Sequence, residues 1–272
     1  MGIVVTQNFV LAPPEEGVGL SADHPIIGWR TIVTPTTITS DSSDVNFPAS
    51  NMANPATHLR WKRAAAPSSF GYITITASGA GLVDYVAIAR HNLGSQAIPI
   101  AIGYGGGTWT ELVSPIVLPD DGPALFRFAP QALATVQIRL GTSTNIPEIA
   151  VAYAGKLLTL PRKIYQGFAP INYGRIAKIT NGRSEAGNFL GRIVLQEFVK
   201  DSVPLSLIDP AYFRNFIAEF LVDSKENPFF FAWRPQSYPY EIGYCHMTND
   251  PMPTNEAPHG LIAMQMEMTG VV

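Results

Sequence analysis

Glycine and proline, 23 of each in 272 residues, are spread along the whole chain rather than gathered in a linker. Proline fixes φ and removes a backbone donor, and glycine weakens helix and strand interiors alike, so only short segments survive between them. A helical bundle, a coiled coil and a regular strand–helix alternation are excluded. The segments between the breaks favour strands. GYITITASG alternates around Ile73 and Ile75, and ATVQIRLGTS sets Val136, Ile138 and Leu140 on one face against Gln137 and Arg139 on the other. DYVAIARHNL, AIPIAIGYGGGTWTEL, ALFRFAP and IPEIAVAYAGKLLTLP complete the series. Five or more strands at roughly 10–15-residue spacing, with almost no helix, predict a β-sandwich.

Hydrophobic residues make up 46% and charged residues 14% of the chain. A soluble domain averages about 25% charged, and disordered chains carry more charge and less apolar content. The deficit predicts a folded protein with much of its surface covered by partner subunits. A net charge of -3 excludes a dedicated nucleic-acid binder, which needs a basic face. No apolar run reaches the ~18 residues of a membrane helix, so no membrane insertion is expected. The start, MGIVVTQNFVLAPPEEG, lacks the basic region of a secretory leader. Cys245 is the single cysteine, which leaves no internal disulfide and no cysteine cluster for zinc.

Three regions follow. Residues 1–45 read as an extended N-terminal arm, with Pro13, Pro14, Pro25 and Pro35 breaking any helix. Residues 46–155 carry the sandwich strands. Residues 156–272 continue in β style with one amphipathic helix, about 209–223. Asp209 is an N-cap and Pro210 a first helical residue, and Tyr212, Phe213, Phe216, Ile217, Phe220 and Leu221 then form one apolar stripe. PFFFAW and YPYEIGYCHMT read as strands, and LIAMQMEMTGVV as a half-buried one.

No catalytic constellation emerges. His24, His58, His91, His246 and His259 form no HxxxH pair, and Cys245 and His246, adjacent on a strand, point to opposite faces. GYGGG at 103–107 runs on into Thr108-Trp109-Thr110, a strand, where a phosphate loop would enter a helix. NGRSEAG, around Ser184, reads as a loop, and Asp120-Asp121-Gly122 as a turn. No enzyme, cofactor or metal is therefore expected. Trp61 and Trp109 stand as glycan-stacking candidates, with core packing as the rival reading. Tyr212, Phe213, Phe216, Phe220, Phe229, Phe230 and Trp233 stand as core or oligomer-interface candidates.

Two resemblances add to this reading. From SSDVNFPASNMANPATHLRWKR through GYITITASG, DYVAIARHNL and GYGGGTWTELV to VQIRL, the order Asn51, Trp61, Tyr72, Ile73, Ile75, Val86, Ile88, Trp109, Ile138, Arg139 resembles the galactose-binding-like (discoidin-type) jelly roll. It spans about residues 40–155 and lacks that family's flanking cysteines. No sugar-binding signature transfers, so carbohydrate binding is implied at the level of fold alone. Residues 156–272, with NGRSEAGNFLGRIV, YPYEIGYCHMT and the terminal LIAMQMEMTGVV, resemble the distal or minor tail (baseplate) proteins of long-tailed bacteriophages. That resemblance implies a structural virion protein at the tail tip, assembled in the bacterial cytoplasm. It implies a hexameric ring built by β-sheet augmentation, with tail tube and tail hub or tip proteins as partners; host glycan is a further ligand expected from the jelly roll with Trp61 and Trp109.

Overall fold

The computed structural model describes residues 2–11, 20–105, 108–164, 167–256 and 260–271. The APPEEG turn, Gly106, Gly107 and His259 lie outside them. The protein is mainly β. Its strands are β1 (Ile3–Thr6), β2 (Ile26–Gly28), β3 (Ile38–Ser40), β4 (Trp61–Lys62), β5 (Gly71–Thr76), β6 (Leu82–His91), β7 (Ile100–Tyr104), β8 (Thr110–Ile116) and β9 (Ala124–Ala132). After them come β10 (Thr135–Leu140), β11 (Glu148–Gly155), β12 (Leu158–Thr159), β13 (Arg175–Arg183), β14 (Phe189–Ile208), β15 (Phe229–Ala232), β16 (Ile242–Met247), β17 (Thr254–Glu256) and β18 (Leu261–Val271).

They form three sheets. The first runs β1-β9-β6-β11-β4, the second β3-β5-β10-β7-β8, and the third β12-β2-β15-β16-β18-β14-β13, with β17 also on β18. The first two face each other as a β-sandwich around Trp61, Ile73, Ile75, Phe126, Phe128 and Ile138. Strand β5 is buried at every second residue, as its alternation dictates. Strand β6 is buried almost throughout, because it has no solvent face. Its Val86 and Ile88 enter the sandwich core, while Tyr85, Ala87 and Ala89 pack against Phe230, Ile242 and Tyr244 of the third sheet. The layer between these sheets holds three tyrosine hydroxyls, each of which donates to a carbonyl. Tyr85 bonds Arg30 at 2.8 Å, Tyr153 bonds Pro228 at 3.0 Å and Tyr244 bonds Pro55 at 2.8 Å.

The far face of the third sheet is covered by the helix. It begins as α1 (Pro210–Tyr212), passes through a π turn (Phe213–Ile217) and ends as α2 (Ala218–Asp223). Asp209 caps it, its carboxylate accepting from the N–H groups of Ala211 and Tyr212 at 2.8 and 3.1 Å. Tyr212, Ile217 and Phe220 bury their side chains against Phe229, Phe231 and Met266. No helix among the described residues is long and apolar enough to cross a membrane.

The described residues among the N-terminal 45 are woven into this body. Strand β1 pairs in parallel with β9, β2 pairs with β12 and β15, and β3 pairs with β5. β1 and β3 take edge positions in the two sandwich sheets, and β2 lies between β12 and β15 in the third.

Candidate functional surfaces

The third sheet ends in a two-stranded hairpin. Strand β14 is 20 residues long, and its halves have different partners. From Val199 onward it pairs with β18, whereas from Phe189 to Val199 it pairs with β13. Strand β13 is exposed along all nine of its residues. Paired residues share a face. Ile176 with Phe198 and Thr180 with Ile193 mark one side, and Ile179 with Val194 marks the other. Apolar side chains therefore stand in water on both faces. Phe189, Leu190, Ile193, Val194 and Leu195 are all more than half exposed. Among the described residues, no strand pairs with the outer edge of β13 or with the 189–198 edge of β14. At its root the hairpin borders a cleft lined by Pro55, Arg90, Phe198, Tyr244, His246 and Val271.

The second surface is the outer face of the sandwich sheet β3-β5-β10-β7-β8. Here the Arg139 guanidinium lies 4.3 Å from the Trp109 ring centre and 4.6 Å from that of Phe70. Tyr72, opposite Arg139 on β5, has its ring 6.0 Å from Trp109. A Glu111 carboxylate oxygen stands 3.4 Å from Arg139. A Cβ on Gly103 would come within 2.5 Å of the indole, so glycine at this position lets Trp109 lie against the sheet.

A third feature is internal. Asp84 and Arg127 line a small cavity with Phe9, Ile26, Leu157 and Phe216. Arg127 donates to the Thr6 hydroxyl at 2.7 Å and the Ala22 carbonyl at 2.8 Å, and stacks 4.3 Å from the Phe9 ring. Asp84 accepts from the Leu157 N–H at 2.8 Å. Burial pushes the Asp84 carboxyl up to about 7 and Arg127 down to about 10. Both side chains pin chain segments onto the sandwich. Asp84 is the one carboxylate lining this cavity among the described residues, so the paired carboxylates of acid–base catalysis do not assemble there. On β14, Asp201 sits between the buried Val199 and Val203, and burial raises it to about 6. Cys245 is fully buried, which pushes its thiol up, and its neighbour His246 faces the other way, within 2.8 Å of the Thr269 hydroxyl.

The sequence candidates separate into surface and interior. Trp61 is fully buried in the sandwich core and donates its Nε1 proton to the Ser43 hydroxyl at 2.9 Å, so it offers no ring face to a sugar. Trp109 lies on the outer face. Tyr212, Phe213, Phe220, Phe229 and Phe230 are buried within the chain, and Phe216 and Trp233 are partly buried against the same core. A run of exposed apolar residues lies instead on β13 and β14, among them Ile176, Ile179, Phe189, Leu190 and Ile193. Sequence reasoning finds the loop NGRSEAG at the tip of that hairpin but misses the exposure of the strands beside it. A strand exposed on both faces and one buried on both faces lack the same alternation. Phe70 is missed as well, because it stands in a loop before β5 with no periodic neighbours.

No protein-family profile matches the chain, and no curated protein matches it. Solved structures do. Chitosan-binding module 1 from a chitosanase/glucanase of Paenibacillus sp. IK-5 aligns at 16% identity and TM-score 0.39, over 47% of this chain and 99% of that one. A pectin-binding carbohydrate-binding module aligns at 13% identity and TM-score 0.38, over 47% and 92%. A Ruminococcus gnavus GH29 fucosidase aligns at 19% identity and TM-score 0.35, over 44% and 25%. Likeness at this level carries no argument about this chain, and function has to be argued from the surfaces above.

Proposed function

We propose that this chain is a structural assembly protein that joins neighbouring subunits through the β13–β14 hairpin. The observation that carries the reading is the hairpin's exposed apolar residues on both faces, combined with two open edges. A two-stranded hairpin alone is marginal in water, and soluble proteins rarely leave such a strand uncovered. Charge supports a second copy as the partner. Residues 175–198 hold four basic and two acidic side chains, for a net +2. The other residues hold fourteen and nineteen, for a net -5 out of the total of -3. A basic projection against an acidic body suits a heterologous contact, the kind that closes into a ring. In its finer form the reading is the tail-tip ring of a bacteriophage virion, six copies between the tail tube and the hub or tip proteins. The resemblance of residues 156–272 motivates that form.

Light scattering on the purified chain tests the reading. An oligomer is expected, reduced to monomer by joint substitution of Phe189, Leu190 and Ile193 with serine. A wild-type chain that stays monomeric at micromolar concentration sinks it. Electron micrographs of the oligomer count its subunits.

A second reading, host-glycan binding by the sandwich, is favoured by the row Phe70, Arg139 and Trp109. Aromatic rings held on an open sheet face provide a stacking surface that core packing does not require.

A further inference from the structure

The side chains on that outer face are already fixed in place. On β7, Ala101 and Gly103 are small, and together they leave a trough across the sheet in which Trp109 lies. Arg139 fills the space between the Trp109 and Phe70 rings, and Glu111 holds its guanidinium. The row runs from β5 to β8, three strand spacings, or roughly 14 Å. Beside it the Gln137 amide donates to the Thr74 hydroxyl at 3.1 Å, and Thr39 continues the polar strip. Phe70 ends the row with 51% of its surface exposed.

We infer that this face binds an uncharged glycan strand, laid across β5, β10, β7 and β8 with a sugar ring on Phe70. The inference rests on the second reading above and names its site and ligand class. Charge balance selects the ligand. Arg139 and Glu111 are the charged groups of the row, and each is engaged with the other, so neither is free for a uronate carboxylate or an amino sugar. The remaining groups are hydroxyls and an amide, which both donate and accept, as sugar hydroxyls do. The exposed ring supplies an apolar platform for sugar C–H groups. A protein partner would need a buried apolar centre that this mixed face lacks. Because the stack is formed before any ligand arrives, little side-chain freedom is lost on binding.

Affinity electrophoresis of the full chain tests this. The gels contain soluble xylan, mixed-linkage β-glucan or galactomannan as neutral probes, and polygalacturonate or chitosan as charged ones. Retardation by at least one neutral polysaccharide is expected. Phe70→Ala should weaken it roughly tenfold. Arg139→Lys should also weaken it, because lysine keeps the charge but not the stacked plane. Thermal melts check that both variants fold, and the hairpin serine variant should bind like wild type. Retardation by a neutral polysaccharide that both variants leave unchanged overturns the proposed site while glycan binding stands. Retardation by the charged polymers alone overturns the ligand class. No retardation in any gel overturns the glycan reading and this inference together.

Discussion

Trp61 and Trp109 carry the same side chain into opposite surroundings. Trp61 sits on the two-residue strand β4, its indole inside the sandwich and its N–H bonded to Ser43. Trp61→Ala should cost about 3–5 kcal/mol in urea unfolding, the range for a large buried aromatic. The buried carboxylates contribute to the pH response. Asp84 titrates near 7 in the folded chain, above its ordinary 3.8, because burial disfavours the charged form. The folded state therefore keeps this proton to higher pH than the unfolded chain does. Its contribution to stability is greatest below about pH 4, falls as pH rises toward 7, and is level above that. Asp84→Asn keeps an acceptor for the Leu157 N–H but cannot ionise. Between pH 4 and 7, urea titrations should show a shallower decline in stability for this variant than for wild type. Parallel curves would show that Asp84 does not set the slope.

The helix and the hairpin behave as elements in contrasting ways. The stripe from Tyr212 to Leu221 is legible because a helix with one apolar face advertises its period. The π turn at Phe213–Ile217 within it carries no such signal, since it depends on how the aromatic rings seat against the sheet. Asp209→Ala removes the acceptor for two helix N–H groups and should cost about 1 kcal/mol in chemical denaturation. In the hairpin, the turn Ser184–Asn188 is closed by backbone bonds, with Gly187 at φ +81. Serine in place of Phe189, Leu190 and Ile193 should therefore change monomer stability by only about 0.5 kcal/mol per site, because these side chains lie in water. A large loss of monomer stability, measured in urea below the association threshold, would mean that they pack within their own chain.

At the scale of the whole molecule, three sheets and a helix stack in layers, and the first sheet is buried on both sides. The apolar run DYVAIA announces such burial. The partner across the layer is YPYEIGYCHMT, more than 150 residues away in the chain. The sandwich also takes β1 and β3 from the first 45 residues. A fragment of residues 46–155 lacks both edge strands and bares Tyr85, Leu125 and Tyr153 to solvent. It should give no cooperative thermal transition, while the full chain gives one. A sharp transition from the fragment would show that the sandwich folds without its N-terminal strands. The same layering buries apolar area in two internal sheet-to-sheet contacts, one more than a single sandwich has.

Local physics determined a good deal of this protein. Proline and glycine spacing made it β, the two-residue period placed Ile73, Ile75, Val136 and Ile138 inside the sandwich, and Asp209-Pro210 started its helix. These depend on neighbours within a few residues, where backbone geometry dominates. Tertiary structure decided which aromatics face water: both Phe230 and Phe189 stand in strands, yet Phe230 is buried between two sheets and Phe189 is exposed on the hairpin. It also brought Phe70, Trp109 and Arg139 into one row from separate parts of the chain. Exposure and convergence are set by strand order and sheet packing, long-range terms that no short window of sequence contains.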